Sequence, residues 1–373
     1  MNSNPANMAL YDAAKPLLFR LSPETAHRSV HTLLGAAQRT PLLGVLQRHY
    51  TVEDDRLSTT VFDQQFSNPV GVAAGFDKNA ELPRALAALG FGFVEVGGVT
   101  AEPQAGNPRP RMFRLVEDEA LINRMGLNNE GAAVVGKRLA KTNASVPVGV
   151  NVAKSEHGST EDAPADYRRT YEAVAEGGLA SGARETSSDS SDGGDFFVIN
   201  ISCPNSQGFE ELQNRDAMAA IIGELRDAGA RPLLVKLSPD LPEPAIDDAL
   251  AIVEEFDLEG VVATNTSTER PASLRSPDRV ETGGLSGRPI EDDATEMVRY
   301  VAQRVDVPVV GVGGVSSADG AYRKIRAGAS LVQLYTGLVY EGPAVARDIN
   351  RGLLDLLERD GFDSVEQAVG ADL

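Results

Sequence analysis

The stretch VPVVGVGGV, residues 307–315, is a continuous apolar run that ends in a cluster of glycines. Its apolar residues do not alternate with polar ones, as they do in a strand with one face in water. Continuous runs are typical of strands that are buried on both faces, and therefore of parallel sheets. Eight such runs occur, at Pro69–Ala74, Phe91–Val99, Val146–Val152, Phe196–Ser202, Leu233–Leu237, Gly260–Thr266, Val307–Val315 and Leu331–Thr336. They predict a parallel sheet at the centre of the fold.

Helical stretches lie between several of these runs, at Leu82–Leu89, Ala217–Ala228, Ala245–Glu255, Ala294–Val305 and Ala318–Ala327. Eight strands that alternate with helices predict an α/β protein with a (β/α)8 TIM barrel. A doubly wound open sheet is the alternative. No G-x-G-x-x-G motif opens a helix after the first strand, which counts against a Rossmann dinucleotide domain. We therefore predict one barrel domain over residues 51–373.

The first fifty residues differ from the rest in pattern and in charge. Apolar residues at helical spacing from Leu10 to Leu21, and again from Ala26 to Ala37, predict two short amphipathic helices. Ser22-Pro23 between them is typical of a helix N-cap followed by proline. Residues 1–50 carry a net charge of +3, which leaves −22 on the other 323 residues from a total of −19. We predict an N-terminal two-helix extension that either plugs the barrel or meets a membrane surface or lipophilic ligand.

A low-complexity stretch interrupts the pattern at residues 177–194, GGLASGARETSSDSSDGG. Glycine, serine and aspartate dominate it, so it contains too little apolar surface to order itself. We predict a flexible acidic insertion on the surface of the barrel.

Composition excludes several classes of protein. A net charge of −19 argues against a nucleic-acid partner, because phosphates are repelled. Only 7 of the 35 basic residues are lysines, and acid excess with few lysines indicates a protein that works in high salt. The single cysteine excludes a disulfide framework, and His27 with His31 lacks a third ligand, so we expect no metal. No apolar run is long enough to span a bilayer, and no signal peptide is evident.

Polar residues close the predicted strands, and the carboxyl ends of barrel strands meet at one mouth. These residues are Lys78, Asn151, Asn200 with Ser202–Asn205, Lys236, Thr264–Thr266, Gly311–Gly314 and Tyr335–Gly337. Convergent amides and two lysines predict a small-molecule site. The glycines of the seventh run and Thr336-Gly337 predict a phosphate site, because backbone N–H groups approach an anion closely where no Cβ intrudes. A phosphosugar or a phosphate-bearing cofactor such as FMN would fit.

Conventional acid–base residues are scarce at these strand ends. Cys203 is the single thiol of the chain, and it follows a strand in the sequence NISCPN, residues 200–205. A lone cysteine is most often a small buried hydrophobe. Its place in the loop zone of a barrel nevertheless favours a catalytic thiolate that acts as base or nucleophile.

Motifs along most of the chain resemble those of dihydroorotate dehydrogenase, the FMN enzyme of pyrimidine biosynthesis. They are AAGFDKNA (73–80), EPQAGNPRPRMFRL (102–115), NRMGLNNEG (123–131), NVAKS (151–155), NISCPN (200–205), VKLSPDL (235–241), ATNTS (263–267), TGGLSGRP (282–289), GVGGV (311–315) and LVQLYTGLVYEGP (331–343). The N-terminal LSPETAHR (21–28) resembles class 2, the membrane-associated, quinone-dependent branch, and the acidic composition is of the haloarchaeal type. The resemblance implies oxidation of dihydroorotate to orotate with a quinone as acceptor, by a peripheral protein at the cytoplasmic face of the cell membrane.

The resemblance also implies roles for individual residues. The FMN site would comprise Ala74, Gly75, Phe76, Asp77, Lys78, Gly98, Asn151, Asn200, Lys236, Thr264, Gly287, Gly314, Tyr335 and Thr336. The dihydroorotate site would comprise Lys78, Asn123, Arg124, Met125, Gly126, Leu127, Asn200, Asn205, Asn265 and Thr266. Orotate is planar, anionic and rich in amide groups, so asparagines can pair with its edge while Lys78 balances its charge. Lys236 would stabilise negative charge on the reduced flavin.

Two positions depart from the class 2 pattern. The catalytic base of class 2 is usually serine, whereas Cys203 stands there, as in the soluble class 1 branch, and Ser202 is the weaker candidate. Gly98 replaces a hydroxyl residue that would bond the flavin. A class 1-like enzyme that uses fumarate or NAD is therefore an alternative, and a non-catalytic flavin- or phosphate-binding barrel is another. The N-terminal helices favour quinone, because class 1 chains generally lack them.

Overall fold

The computed structural model describes residues 5–156, 159, 161–179, 194–201, 212 and 214–373. Two sequence predictions therefore lie outside the described residues. One is the site pair Cys203 and Asn205, and the other is most of the insertion predicted at 177–194.

Helices and strands alternate along most of the described chain. The strands are β1 (Thr59–Val61), β2 (Gln64–Phe66), β3 (Val70–Val72), β4 (Phe93–Val99), β5 (Met112–Leu115), β6 (Ala120–Asn123), β7 (Val148–Ala153), β8 (Phe196–Asn200), β9 (Leu233–Leu237), β10 (Gly260–Ala263), β11 (Gly284–Gly287), β12 (Val309–Val312) and β13 (Ala329–Leu334). The helices are α1 (Pro5–Arg20), α2 (Pro23–Ala37), α3 (Leu42–Tyr50), α4 (Pro83–Ala88), α5 (Ala132–Leu139), α6 (Ala163–Leu179), α7 (Arg215–Asp227), α8 (Glu243–Glu255), α9 (Glu291–Ala302), α10 (Ala318–Arg326), α11 (Thr336–Glu341), α12 (Val345–Asp360) and α13 (Val365–Ala368).

Eight parallel strands close into a barrel in the order in which they follow along the chain. The order is β3, β4, β7, β8, β9, β10, β12 and β13, and β13 pairs back with β3. Each strand falls within or overlaps one of the eight apolar runs, and α4, α7, α8, α9 and α10 overlap the five predicted helices. The prediction of a (β/α)8 barrel is therefore confirmed, and the doubly wound sheet is excluded.

Aromatic side chains close the amino-terminal end of the barrel. The β1–β2 hairpin places Phe62 and Phe66 there, and the ring of Phe66 meets that of Phe93 edge-to-face at 5.4 Å. Phe62 also contacts Phe196, the first residue of β8. Because these rings fill the interior at this end, a ligand has to enter from the carboxyl ends of the strands.

A small antiparallel sheet lies over the carboxyl end of the barrel. Its order is β11–β6–β5, so residues 120–123 pair with residues 284–287 from a distant part of the chain. Leu115, Ile122 and Leu285 belong to its own apolar core. The sequence analysis did not predict this sheet, which provides one wall of the site described below.

The N-terminal segment forms the two predicted helices and a third. The hydroxyl of Ser22 accepts a hydrogen bond from the backbone N–H of Thr25, so Ser22 caps α2 as predicted. The third helix, α3, covers residues 42–50, which the sequence analysis had treated only as a continuation of the apolar surface. Within the described residues no helix is long and apolar enough to cross a bilayer.

The start of the predicted insertion lies inside α6 instead of a loop. A Cβ built on Gly177 would stand 2.7 Å from the backbone carbonyl carbon of Gly136, so these two glycines let α5 and α6 pack closely. Gly177 is therefore a helix-packing residue, and the predicted boundary at 177 is too early.

Candidate active site

An open cavity of about 170 Å³ lies at the carboxyl end of the barrel, between the strand ends and the small sheet. Strand-end residues such as Lys236 form its floor and sides, and Met112, Leu121 and Ser286 of the small sheet form the opposite wall. This is the position at which TIM barrels hold their active sites. Because aromatic side chains close the amino-terminal end of the barrel, its carboxyl end is the binding face.

Most of the predicted site residues line this cavity. From the two predicted sets they are Ala74, Gly75, Lys78, Gly98, Asn123, Met125, Gly126, Leu127, Asn200, Lys236, Thr264, Asn265, Thr266, Gly287, Gly314, Tyr335 and Thr336. The structure thus brings together residues from the ends of seven barrel strands and from the small sheet, although their contacts with a ligand remain predictions.

Two residues of the predicted sets point elsewhere. Asp77 is fully buried, and its carboxylate accepts hydrogen bonds from the backbone N–H groups of Glu81 and Leu82 at 2.9 and 2.7 Å. It therefore holds the turn before α4. Arg124 pairs with Glu281 at 2.8 Å and lies over the ring of Phe113. These contacts direct its guanidinium away from the cavity, so the side chains of Asp77 and Arg124 do not line it, and a ligand contact through their backbone remains a prediction.

Phe76 and Asn151 lie behind the wall. The Phe76 ring meets Tyr335 edge-to-face at 5.6 Å, and it thereby supports a residue that does line the cavity. Asn151 is fully buried. A Cβ built on Gly98 would stand 3.2 Å from its Oδ1 and 2.9 Å from Cδ2 of Leu127. Leu127 therefore occupies the space that a side chain at position 98 would need.

A buried carboxylate that the sequence analysis missed lies beneath the cavity. Glu95 has no exposed surface, and its Oε1 lies 3.5 Å from Nζ of Lys236. The same oxygen accepts a hydrogen bond from Asn151 at 2.7 Å, and Oε2 accepts one from Gln333 at 2.6 Å. The signal was available, since Glu95 is the one charge in the apolar strand FVEVGGV. Buried charges need such partners to be tolerated.

The amides above Glu95 continue this network into the cavity. Oδ1 of Asn151 accepts a hydrogen bond from Asn200 at 3.0 Å, and Oδ1 of Asn200 accepts one from Asn265 at 3.4 Å. Asn200 and Asn265 both line the cavity. Two predicted substrate residues are thus linked by hydrogen bonds to one carboxylate.

Glycines form the part of the wall where a phosphate was predicted. Gly314 has a φ of +75°, and a Cβ built on it would stand 2.3 Å from Cβ of Glu291. Gly287 has a φ of +102°, and beside it the hydroxyls of Ser286 and Thr336 lie 2.8 Å apart. Only glycine fits at position 314, which leaves its backbone accessible to an anion.

Helix α2 reaches the edge of this site. The ring of His27 stacks on that of Tyr335 at 6.5 Å and meets Phe76 edge-to-face at 5.1 Å. Burial, and secondarily the charge of Lys78, lower the pKa of His27 to about 3, so the ring is neutral near pH 7. His31 lies 3.4 Å from Glu81. Within the described residues, no group of three or more side chains could hold a metal ion.

Comparisons with known proteins agree on one family. A family model described as "Dihydroorotate dehydrogenase" matches residues 56–357. The chain is 69% identical over 366 residues to "Dihydroorotate dehydrogenase (quinone)" of Haloarcula marismortui, covering 98% of this chain and 100% of the relative. A relative with the same description from Natronomonas pharaonis is 61% identical, with the same coverage. Among solved structures, DHODH of Eimeria tenella in complex with ferulenol is similar with a TM-score of 0.83 and 36% identity, covering 94% of this chain and 95% of that one.

Proposed function

The chain belongs to the dihydroorotate dehydrogenase family, and on this premise we propose that it oxidises dihydroorotate to orotate and uses FMN to pass the electrons to a quinone. The reaction is a step of pyrimidine biosynthesis. The observation that carries the proposal is the cavity, where amides, two lysines and exposed glycine backbone converge at the mouth of the barrel. These groups suit a planar anionic substrate beside a phosphate-bearing cofactor.

The residues of the cavity fit FMN. Position 314 accommodates only glycine, so the backbone there can approach a phosphate. Lys78 and Lys236 supply positive charge. When bound, FMN supplies a reversible acceptor for a hydride, which no amino-acid side chain provides.

The chain's own residues bind and orient the substrate. Asn123, Asn200 and Asn265 present amide groups to the edge of dihydroorotate, and Lys78 balances its carboxylate. The Cys203 thiolate removes a proton from the ring carbon next to the carbonyl, while a hydride leaves the neighbouring ring carbon. Lys236 holds positive charge where negative charge develops. Cys203 follows the last residue of β8 by three positions in the sequence.

The N-terminal helices support two parts of the proposal: that a quinone is the electron acceptor, and that the protein binds peripherally at the cytoplasmic face of the cell membrane. Large apolar side chains are exposed on them, with 69% of Leu17, 68% of Leu33 and 56% of Val45 accessible. Through His27 the same segment touches Tyr335 of the cavity wall. A lipophilic acceptor that enters along these helices would reach the site without crossing water. Residues 1–50 would thus bind the quinone, and residues 51–373 would carry out the first half-reaction, in which dihydroorotate reduces FMN.

An anaerobic redox experiment on the full chain tests the proposal. We expect a yellow protein whose flavin absorbance is bleached by dihydroorotate and restored by a long-tailed quinone. Restoration by fumarate or NAD instead would identify the class 1-like alternative. A flavin spectrum that dihydroorotate does not bleach would leave a non-catalytic barrel, and absence of bound flavin would overturn the proposal.

A further inference from the structure

The buried carboxylate of Glu95 lies where three groups of the site meet. It contacts Lys236, Gln333 and, through Asn151, the cavity asparagine Asn200. An ionised carboxylate can only accept hydrogen bonds. It therefore forces each partner to direct a donor toward it, and this fixes the direction of the remaining atoms of those amides.

The effect on Gln333 is direct. Its Nε2 donates to Oε2 of Glu95 at 2.6 Å, so its Oε1 faces the other way. Gln333 is 1% exposed and lines the cavity, and its Oε1 has no hydrogen-bond partner among the described residues. An unpaired buried acceptor is costly. An N–H or O–H group of a bound molecule would satisfy it.

The effect on the substrate side passes through Asn151. Its Nδ2 donates to Glu95, so its Oδ1 is left to accept from Asn200. Asn200 then turns its own Oδ1 toward Asn265. The donor and acceptor pattern of these amides therefore depends on the carboxylate below them.

We propose that Glu95 is a positioning residue that acts through Lys236, Gln333 and Asn151, so that it sets both the affinity for the cofactor and its reduction potential. The inference rests on the proposed function, because it takes the bound molecule to be FMN. The carboxylate also offsets the charge of Lys236. Reduction adds negative charge to the cofactor. If the negative charge of Glu95 is removed, the positive charge of Lys236 is no longer offset, and it stabilises the reduced form more strongly.

Glu95→Gln in the full chain separates this role from simple packing, because the shape is retained. An amide presents one oxygen and one NH2 group, so Asn151 and Gln333 cannot both keep their present bonds. We expect the dissociation constant of FMN, measured by flavin fluorescence, to rise about tenfold. We expect the reduced form to be favoured about tenfold more, which raises the midpoint potential by about 30 mV for two electrons.

Glu259→Gln is the matched control. Glu259, like Glu95, accepts a hydrogen bond and pairs with a cation, here the Leu233 backbone N–H and Arg226, but it lies at the opposite end of the barrel. We expect this change to leave FMN affinity and midpoint potential at the wild-type values. If Glu95→Gln matches wild type in both quantities, the inference is overturned. An equal shift in both variants would also overturn it, because it would indicate a general loss of structure.

Gln333→Met decides the question if Glu95→Gln does not fold. It removes both the unpaired acceptor of Gln333 and the hydrogen bond from Nε2 to Oε2 of Glu95, but it leaves the charge of Glu95 in place. We expect about tenfold weaker FMN binding with a nearly unchanged potential, and unchanged affinity would overturn the inference. The proposed function fails separately, if the wild-type protein holds no FMN or is not bleached by dihydroorotate. If wild type is bleached and the variants behave like it, only the role of Glu95 is lost.

Discussion

The histidine His27, which packs against two aromatic rings, makes the stability of the folded protein depend on pH. Burial against Phe76 and Tyr335 lowers the pKa of His27 from 6.5 to about 3. Between these values the unfolded chain binds a proton that the folded protein does not, so stability is lost as the pH falls from 6.5 toward 3. Between pH 7 and 4.5 the unfolding free energy of both proteins should fall. We expect the fall to be smaller for His27→Leu than for wild type, with a difference of roughly 1–2 kcal/mol between the two. Urea unfolding at both pH values measures this, and equal losses would contradict it.

A second residue, Cys203, carries the proposed chemistry. Removal of a general base typically costs about 10²–10⁴-fold. We expect Cys203→Ala to reduce FMN that much more slowly while it keeps FMN bound, as measured by stopped-flow bleaching with dihydroorotate. Cys203→Ser should retain some activity with its pH profile shifted upward, because a hydroxyl is a weaker acid than a thiol. An alanine variant that bleaches near the parent rate would remove Cys203 from this role.

Residues at strand ends were predictable, whereas residues inside strands were not. Asn200 ends β8 and Thr264 follows β10, and the barrel prediction alone places such positions at the mouth. Glu95 and Gln333 lie within the runs, and their partners come from other strands, so no local pattern announces them. Asp77 belongs to a motif of the site but directs its carboxylate to nearby backbone. Sequence proximity to a site does not fix the direction of a side chain.

At the scale of elements, the N-terminal helices expose more apolar surface than a folded domain needs. Leu17 on α1 and Leu33 on α2 are each about two-thirds exposed. We expect the double change Leu17→Glu and Leu33→Glu to weaken binding to lipid vesicles at least about tenfold, because each buried leucine contributes about 1.5–3 kcal/mol. Reoxidation by a long-tailed quinone should slow, while bleaching by dihydroorotate should keep the parent rate.

Val280→Glu is the control for this pair, because Val280 is at least as exposed but lies far along the chain from the N-terminal helices. It should bind vesicles like the parent protein. If the double variant also binds vesicles and uses the long-tailed quinone at the parent rate, the helices do not form the membrane contact. Co-sedimentation measures the binding to vesicles, and stopped-flow absorbance measures the reoxidation by quinone.

Elements with a strong local pattern were predicted, and elements defined by distant pairing were missed. The barrel strands are continuous apolar runs, and their buried faces dominate the local composition. The strands of the small sheet are no shorter than β10 and β12, but β5 (MFRL) and β11 (GLSG) are not continuous apolar runs, and β11 joins β6 across about 160 residues of chain. Their stability depends on neighbours that are distant in the sequence, so their sequences carry little signal of their own. The sheet nevertheless forms one wall of the cavity.

At the scale of the whole molecule, the charge is divided unequally between two parts. Residues 1–50 carry +3 and the remainder −22. Arginine supplies most of the surface ion pairs, as where Arg326 pairs with both Asp360 and Asp372. Exposed pairs of this kind add little to stability, because water and dissolved ions screen them. They cannot offset the repulsion among the unpaired carboxylates, so the compact state should depend on dissolved salt.

This dependence yields a measurable thermal shift. Relief of several kcal/mol of repulsion at about 2–4 °C per kcal/mol predicts a rise in melting temperature of roughly 10 °C between low and molar KCl. Screening is nearly complete at 1 M, where the Debye length is about 3 Å, so the rise should level off there. Changing the exposed Asp63, Glu117 and Asp306, which form no ion pair within the described residues, to their amides removes three negative charges and should reduce the slope. A melting temperature that is flat in KCl would contradict salt adaptation. Screening acts through the charges that the triple variant lacks. If the melting temperature of this variant rises with KCl as steeply as that of wild type, and continues to rise well above 1 M, the stabilisation comes from surface hydration instead.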